Sequence, residues 1–202
     1  MREIIKSVSL RLARDDFENY EETCKQEVVP TEPSPVITSN GEELAFENAQ
    51  FGFEKWDGKG VIVNARAETV NQKSMFKDYV NNGRCVVPVS GYYEWKQPDE
   101  GQKKKIKHHI KDRQGNLLFM AGLWRDGKDG REFIIITKNP VGDIVNIHNR
   151  MPVMLRTDQL EAWLNGTMPI EELSLLDYDC FGVPLEEPEK EEPEGNEQMS
   201  LF

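Results

Sequence analysis

The 202-residue chain has few cysteines and no long apolar run. Cys24, Cys85 and Cys180 are odd in number and widely spaced, which excludes a disulfide framework and a zinc knuckle. No apolar run approaches the roughly 18 residues that a membrane-spanning helix needs. The first residues, MREIIKSVSLRLARDD, mix charged with apolar side chains, unlike a signal peptide. These absences favour a soluble protein of the reducing cytoplasm.

Several common catalytic patterns are also absent from the sequence. It contains no His-x-x-x-His spacing, and His108 and His109 are adjacent, so they would point to opposite faces of a strand. No glycine-rich phosphate loop follows a predicted strand, and Ser90 lacks the Gly-x-Ser-x-Gly pattern of a serine nucleophile. The sequence therefore predicts neither a metal site nor a cofactor, and it disfavours a serine triad.

Charge is abundant but unevenly distributed. The net charge is −11, and residues 186–197 (EEPEKEEPEGNE) hold seven glutamates and one lysine, a local charge of −6. Because such a stretch cannot bury apolar surface, it predicts a disordered, extended linker. A basic cluster has two open interpretations, a solvated hairpin and a patch that contacts phosphates. It consists of Lys103, Lys104, Lys105, Lys107 and Lys111.

Short apolar runs alternate irregularly with helical patterns. Strands are predicted at 61–63, 85–88, 91–95, 106–111, 117–124 and 133–137, and helices at 2–22, 72–81, 140–147 and 157–165, the last capped by Thr157. The prolines at 30, 33 and 35 predict an extended, looping path over 28–37. We expect an α+β fold, a single domain of mostly antiparallel, barrel-like sheets with flanking helices. The domain would span 1–183, followed by a linker over 184–197 and a peptide over 198–202.

Two segments place polar residues in apolar, strand-like surroundings. Asn64, Arg66 and Glu68 follow a β run and alternate, so they would point the same way at a strand end. Glu94 lies among aromatic residues in SGYYEW at 90–95. Such surroundings would desolvate its carboxyl group and raise its pKa, as a general acid or base at neutral pH requires.

A third segment, IHNRMPV at 147–153, places His148 two residues before Arg150 and close to a proline that fixes the backbone. Each segment also has a purely structural interpretation. Asn64 can cap a turn, Glu94 can form a salt bridge within a strand, and His148 can be a hydrogen-bonded structural histidine. Taken singly, the segments leave both interpretations open.

The order of the motifs is more informative than any single motif. NARAET, RCVVP with GYYEW, AGLW and IHNRMPV follow one another. In this order they resemble the SOS response-associated peptidase (SRAP) family over residues 28–164. Members of that family shield abasic sites in single-stranded DNA by a covalent crosslink. The amine of an N-terminal cysteine condenses with the ring-opened sugar aldehyde, and the thiol closes a thiazolidine.

The resemblance implies catalytic roles for three residues. Asn64 would position the N-terminal residue or the sugar, Glu94 would act as general acid and base, and His148 would assist proton transfer. Cys85 falls where the family often has a buried structural cysteine, so we do not expect it to be a nucleophile.

The resemblance also implies a nucleic-acid groove. Arg66 and Arg150 would hold the phosphates that flank the lesion. Pro30, Phe51 and Trp95 would contact the DNA, with Phe51 standing where the family usually has tryptophan.

The chain departs from the family at its start, which is Met1-Arg2 rather than Met-Cys-Gly-Arg. Two explanations stay open. We favour the view that Met1 is an internal methionine of a longer protein, because Asn64, Glu94 and His148 all persist. The other is a variant that keeps only a non-catalytic groove for single-stranded DNA. We expect the 202-residue chain not to crosslink DNA. A third interpretation is a peptidase that uses Glu94 and His148.

The chain ends with QMSLF behind the acidic stretch. This pentapeptide resembles the bacterial sliding-clamp binding motif, whose glutamine bonds at the rim of an apolar cleft while its leucine and phenylalanine fill the cleft. The resemblance implies that Gln198, Leu201 and Phe202 tether the protein to replication clamps and hence to the nucleoid. The alternative is that Leu201 and Phe202 pack on their own domain.

Overall fold

The structure, a computed structural model, describes residues 27–40, 44–98 and 104–185. Its strands and helices follow one another in a mixed order. They are β1 (Pro33–Ser39), β2 (Leu44–Phe51), β3 (Phe53–Glu54), β4 (Val61–Ile62), β5 (Asn64–Arg66), helix α1 (Ser74–Asn82), β6 (Arg84–Val89), β7 (Tyr92–Lys96), β8 (Ile106–Asp112), β9 (Leu118–Asp126), β10 (Arg131–Lys138), a 3-10 helix (Gly142–Asn146), β11 (Met151–Pro152), a 3-10 turn (Thr157–Gln159), α2 (Leu160–Leu164), a 3-10 helix (Ile170–Ser174) and β12 (Cys180–Pro184).

Five of these strands close into a barrel in the order β10-β2-β1-β6-β9, because β9 also pairs with β10. Neighbouring barrel strands are antiparallel except β2 and β10, which run parallel. The short strands β5 and β11 extend the same sheet by pairing with β10. The prediction of a single α+β domain with a mostly antiparallel, barrel-like sheet is therefore confirmed.

Side chains along the barrel strands point alternately inward and outward, which separates two apolar clusters. The inner cluster fills the barrel and receives side chains from all five barrel strands. Its members include Val36, Ala49, Val87, Met120 and Ile135. The intervening residues face outward and pack against α1 and α2; they include Ile37, Val86, Ala121 and Ile136. Each face of the barrel wall is thus covered by apolar side chains.

Trp163 of α2 anchors the outer layer. It is completely buried, and its indole N–H donates a 2.8 Å hydrogen bond to the carbonyl oxygen of Cys85 in β6. The guanidinium of Arg84 lies 4.4 Å from its ring centre and donates to the carbonyl oxygens of Val80 and Met168. These bonds satisfy the polar atoms that the packing of α2 buries.

A separate three-stranded sheet, in the order β12-β8-β7, carries the third apolar cluster, which includes Ile110, Ile144, Met151 and Cys180. Tyr92 of β7 packs against both this cluster and the barrel interior. It therefore ties β7, and with it Glu94, to the barrel.

Most predicted strands and the helix predicted at 72–81 are present within one to three residues of their predicted bounds. Three predictions differ from the structure. Residues 140–147 contain a 3-10 helix instead of an α-helix, and the path over 28–37 includes most of the barrel strand β1. The N-cap is Arg156 instead of Thr157, and the backbone N–H of Arg156 donates a 2.9 Å hydrogen bond to the Gln159 side chain. The predicted helix at 2–22, residues 186–197 and the peptide 198–202 lie outside the described residues.

Within the described ranges no helix is long and apolar enough to cross a membrane, and no three metal-ligating side chains cluster together.

Candidate active site

Strand β10 aligns the residues of β2 and β5 along one of its edges. Phe51 lies opposite Phe133, Asn64 opposite Ile135 and Arg66 opposite Thr137. Because aligned residues of neighbouring strands share a face, Phe51, Asn64 and Arg66 follow one another about 7 Å apart on the side that continues the barrel interior. The shared orientation predicted for Asn64 and Arg66 is therefore present.

Arg150 joins this edge to the segment that carries His148. Its two terminal nitrogens each donate a 2.8 Å hydrogen bond to one carboxylate oxygen of Glu68. The same nitrogens donate to the side-chain oxygen of Asn139 at 2.7 Å and to the backbone oxygen of Thr137 at 2.6 Å. The hydrogen bond from Arg150 holds the pKa of Glu68 below the usual range of a glutamate. A phosphate contact of the kind predicted for Arg150 would have to break this fork.

Glu94 and His148 form the adjacent half of the site. The Nδ1 atom of His148 lies 3.5 Å from a carboxylate oxygen of Glu94 and 3.1 Å from the carbonyl oxygen of Arg150. Burial raises the pKa of Glu94, and the attraction of His148 opposes this only in part. The carboxyl group therefore keeps its proton to a higher pH than an exposed glutamate would. This is the direction expected from its aromatic surroundings in the sequence.

A continuous set of contacts thus runs from Glu68 through Arg150 and His148 to Glu94 and joins three segments that are distant along the chain. Asn64 shares its strand edge with this set but forms no hydrogen bond to Glu94 or His148 within the described part of the chain.

The residues predicted to contact DNA divide between two places. Pro30 is exposed in a turn whose next residue, Thr31, donates a 2.7 Å hydrogen bond to the carbonyl oxygen of Phe51. The Phe51 ring stacks on Phe133 with centres 5.1 Å apart. Trp95 follows Glu94 along β7 and therefore faces the opposite side of that strand.

The sequence patterns did not single out two residues, Trp56 and Tyr92. Trp56 is 94% exposed in the turn between β3 and β4 and lines a cavity of about 530 Å³ with Ile62 and Met75. The hydroxyl of Tyr92 is buried without a hydrogen-bond partner among the described residues, and burial, reinforced by Cys180 and Glu94, raises its pKa. A tryptophan between Lys55 and Asp57 was a signal that could have identified the first.

The two cysteines in the described ranges are free, buried and unsuited to nucleophilic attack. Burial raises the pKa of Cys85 well above its usual range, and burial with nearby carboxylates raises the pKa of Cys180 to about 11. The interpretation of Cys85 as a buried structural cysteine is confirmed.

Comparison with known proteins shows which family the sequence matches. The family model of the SOS response associated peptidase (SRAP) matches residues 3–179. Abasic site processing protein YoqW from Bacillus subtilis (strain 168) is 38% identical over 127 residues, which cover 59% of this chain and 56% of that protein. Abasic site processing protein YedK from Escherichia coli (strain K12) is 27% identical over 168 residues, 81% of this chain and 74% of that protein.

The fold also matches solved structures. A protein from Bacteroides thetaiotaomicron superposes with a TM-score of 0.72 at 25% identity, covering 91% of this chain and 88% of that one. The alignment with YoqW spans little more than half of that relative. From the family match over residues 3–179, the chain belongs to the SOS response associated peptidase (SRAP) family.

Proposed function

We propose that this protein recognises abasic sites in single-stranded DNA and that Glu94 and His148 supply the acid–base chemistry of the site. The single observation that carries the proposal is the partly buried Glu94 carboxyl group, whose pKa is raised, 3.5 Å from the imidazole of His148. Relatives named abasic site processing proteins support the choice of ligand.

The chemistry of an abasic sugar needs a pair of this kind. The closed sugar opens to an aldehyde when its anomeric hydroxyl loses a proton and its ring oxygen gains one. Desolvation favours the protonated form of the Glu94 carboxyl group, which can donate to the ring oxygen, while His148 accepts the hydroxyl proton. Asn64, exposed on β5, can orient the sugar through its amide.

Other side chains of the protein can bind DNA without reading its sequence. Arg66 is exposed on the same strand edge as Asn64 and can pair with a flanking phosphate. Phe51 and the exposed Trp56 can stack on unpaired bases of any identity. Pro30 can complete the wall beside Phe51.

A covalent step would need an amine and a thiol on one N-terminal cysteine, whereas residue 2 of this sequence is arginine. We propose that the site itself can support that step. A version in which Met-Cys-Gly precedes Arg2 should form a crosslink with an abasic oligonucleotide that survives denaturing electrophoresis. The 202-residue chain should not, and Glu94→Gln in the extended version should slow the reaction about 100-fold.

The recognition step can be tested on the 202-residue chain. Fluorescence anisotropy with an 11-nucleotide strand should show tighter binding when the central nucleotide is abasic. Asn64→Ala and Glu94→Gln should reduce that preference, whereas Glu172→Gln, an exposed glutamate on a 3-10 helix, should not. Equal affinity for intact and abasic strands would contradict abasic recognition and favour a general single-stranded DNA-binding module. Cleavage of peptides without any DNA binding would favour a peptidase.

We also propose that the peptide 198–202 binds a bacterial sliding clamp. Its support is the sequence QMSLF at the end of an acidic stretch. Deleting Leu201 and Phe202 should abolish retention on immobilised clamp and leave anisotropy with single-stranded DNA unchanged. Clamp retention that survives the deletion would contradict this part of the proposal.

A further inference from the structure

The sheet formed by β12, β8 and β7 has one buried and one partly exposed face. In β8, His108, Ile110 and Asp112 are buried, and the residues between them point outward by alternation. Cross-strand pairing brings aromatic neighbours to these outward residues. We call this side the outer face; it consists of Tyr93, Trp95, Lys107, His109, Lys111 and Phe181.

Aromatic rings and cations are interleaved on the outer face. The ammonium of Lys107 lies 3.9 Å from the ring centre of Tyr93 and 5.5 Å from that of Trp95. The rings of Tyr93 and His109 lie 4.7 Å apart. Trp95 remains 46% exposed, which leaves a large aromatic surface without a covering group in the described structure.

The charge of the outer face is opposite to that of the whole chain. Lys107 and Lys111 project from it in a protein whose net charge is −11. Among the described residues, Lys107 pairs with one carboxylate, that of Glu27 at 3.3 Å, and the Glu27 side chain is exposed. Because solvent screens a pair in which one partner is exposed, a phosphate can replace the carboxylate.

We propose that the outer face binds single-stranded nucleic acid as a second contact, separate from the site formed by Glu94 and His148. Aromatic side chains that stack on bases, together with lysines that follow the phosphates, are the elements by which proteins hold unpaired strands without sequence preference. The proposal resolves the two interpretations of the basic cluster in favour of phosphate contact for Lys107 and Lys111. It rests on the proposed function for the choice of ligand.

The position of β7 makes a continuous path possible. In the order β12-β8-β7 this strand is at the edge of its sheet. Glu94 faces His148 and the next residue, Trp95, faces outward, so the two sites are separated by the thickness of one strand. A nucleotide chain whose abasic sugar lies at Glu94 can pass around this edge and reach Trp95 and Lys107 within a few nucleotides.

The alternative ligand for these lysines, which the experiment must distinguish from DNA, is the acidic stretch of the chain itself. The backbone N–H of Leu185 donates a 2.8 Å hydrogen bond to the carbonyl oxygen of Lys107, and the seven glutamates of residues 186–197 follow directly in the sequence. If these carboxylates are the ligand of the outer face, substitutions of Lys107 and Lys111 will not weaken DNA binding. The experiment below distinguishes the two occupants.

The experiment measures anisotropy of the full chain with two intact oligothymidines, one of 5 and one of 25 nucleotides, over a range of salt. The test variants are Trp95→Ala and the double variant Lys107→Gln with Lys111→Gln. The matched control is Lys73→Gln with Lys77→Gln, which removes the same charge from the exposed side of α1. Trp95→Phe tests whether an aromatic ring restores binding.

We expect Trp95→Ala to weaken binding of the long strand at least about fivefold and Trp95→Phe to restore most of it. The double lysine variant should reduce the salt slope of log Kd by about 1.4, the loss of two phosphate contacts, and the control should not. The 5-nucleotide strand should be insensitive to all these changes.

Long-strand binding equal to that of the wild type in both test variants would overturn the proposal and favour the acidic segment as the occupant. That outcome leaves the proposed function intact if the wild type still prefers an abasic strand. A wild type that binds neither strand would overturn both.

Discussion

The fork between Arg150 and Glu68 should be a measurable contributor to stability, because it joins two segments that are 82 residues apart. We consider Arg150→Ala, Glu68→Ala and the double variant in a thermodynamic cycle. The pair has two 2.8 Å hydrogen bonds, with side chains 20% and 35% exposed. Because the pair is partly buried and bidentate, we expect a coupling energy between Arg150 and Glu68 of about 1.5 kcal/mol, which is larger than that of exposed ion pairs.

Arg150→Ala alone should cost more than this coupling. It also removes the bonds to Asn139 and to the backbone oxygen of Thr137, so we expect a loss of about 3 kcal/mol in the free energy of unfolding. Urea titration of the four proteins at pH 7 gives both quantities.

The pair Arg156–Asp158 provides the matched control. Its charged atoms lie 3.2 Å apart, but its side chains are 55% and 71% exposed, so its coupling should be below about 0.5 kcal/mol. A coupling between Arg150 and Glu68 no larger than this control would refute the view that the fork holds the two segments together.

The fork also has a defined pH dependence. The folded state lowers the pKa of Glu68 below the usual range of a glutamate, chiefly through the hydrogen bond from Arg150. The stabilisation is therefore fully present above the pKa of the unfolded glutamate, about 4.3, and is lost as the pH falls through the lowered pKa of the folded protein. The coupling energy should be the same at pH 6 and pH 7 and smaller at the lowest pH at which the protein remains folded.

Three further changes test the packing and the site. Trp163→Phe should lower the free energy of unfolding, measured in urea, by about 2–3 kcal/mol, because it removes buried volume and the hydrogen bond to the carbonyl oxygen of Cys85. A loss below about 0.5 kcal/mol would contradict this. Gly91→Ala should cost about 1–3 kcal/mol and lower Tm, because its Cβ would lie 2.6 Å from the backbone oxygen of Ile110; an unchanged Tm would count against it. The raised pKa of Glu94 makes its charged form unfavourable in the folded state, so the wild type should lose stability relative to Glu94→Gln as the pH rises from about 4. A difference in unfolding free energy that does not vary with pH would be inconsistent with desolvation of Glu94.

The strands that sequence patterns located best are those with buried apolar residues on the barrel. Strands β6, β9 and β10 contain almost continuous apolar runs and are found close to their predicted bounds. Strand β2 was missed because its residues are mostly half-exposed. Strand β1 was predicted only as an extended path because of its prolines, which it tolerates because it pairs with β6 only at Ile37.

The candidate site was predictable only in part for a related reason. The raised pKa of Glu94 and the shared orientation of Asn64 and Arg66 follow from neighbours in sequence and from strand alternation. The fork between Glu68 and Arg150 depends on β10, which brings β5 and β11 together through non-local pairing. Local patterns carry no information about such pairing, so they gave no indication that Arg150 pairs with Glu68; the phosphate contact implied for Arg150 by the family resemblance stays a prediction.

The most direct test of the central claim is a crystal structure of the protein bound to a single-stranded oligonucleotide with one abasic site. The account predicts that the abasic sugar lies between Asn64, Glu94 and His148, with a flanking phosphate within hydrogen-bond distance of Arg66. A sugar bound on another surface, with Glu94 and His148 touching no nucleotide, would contradict it.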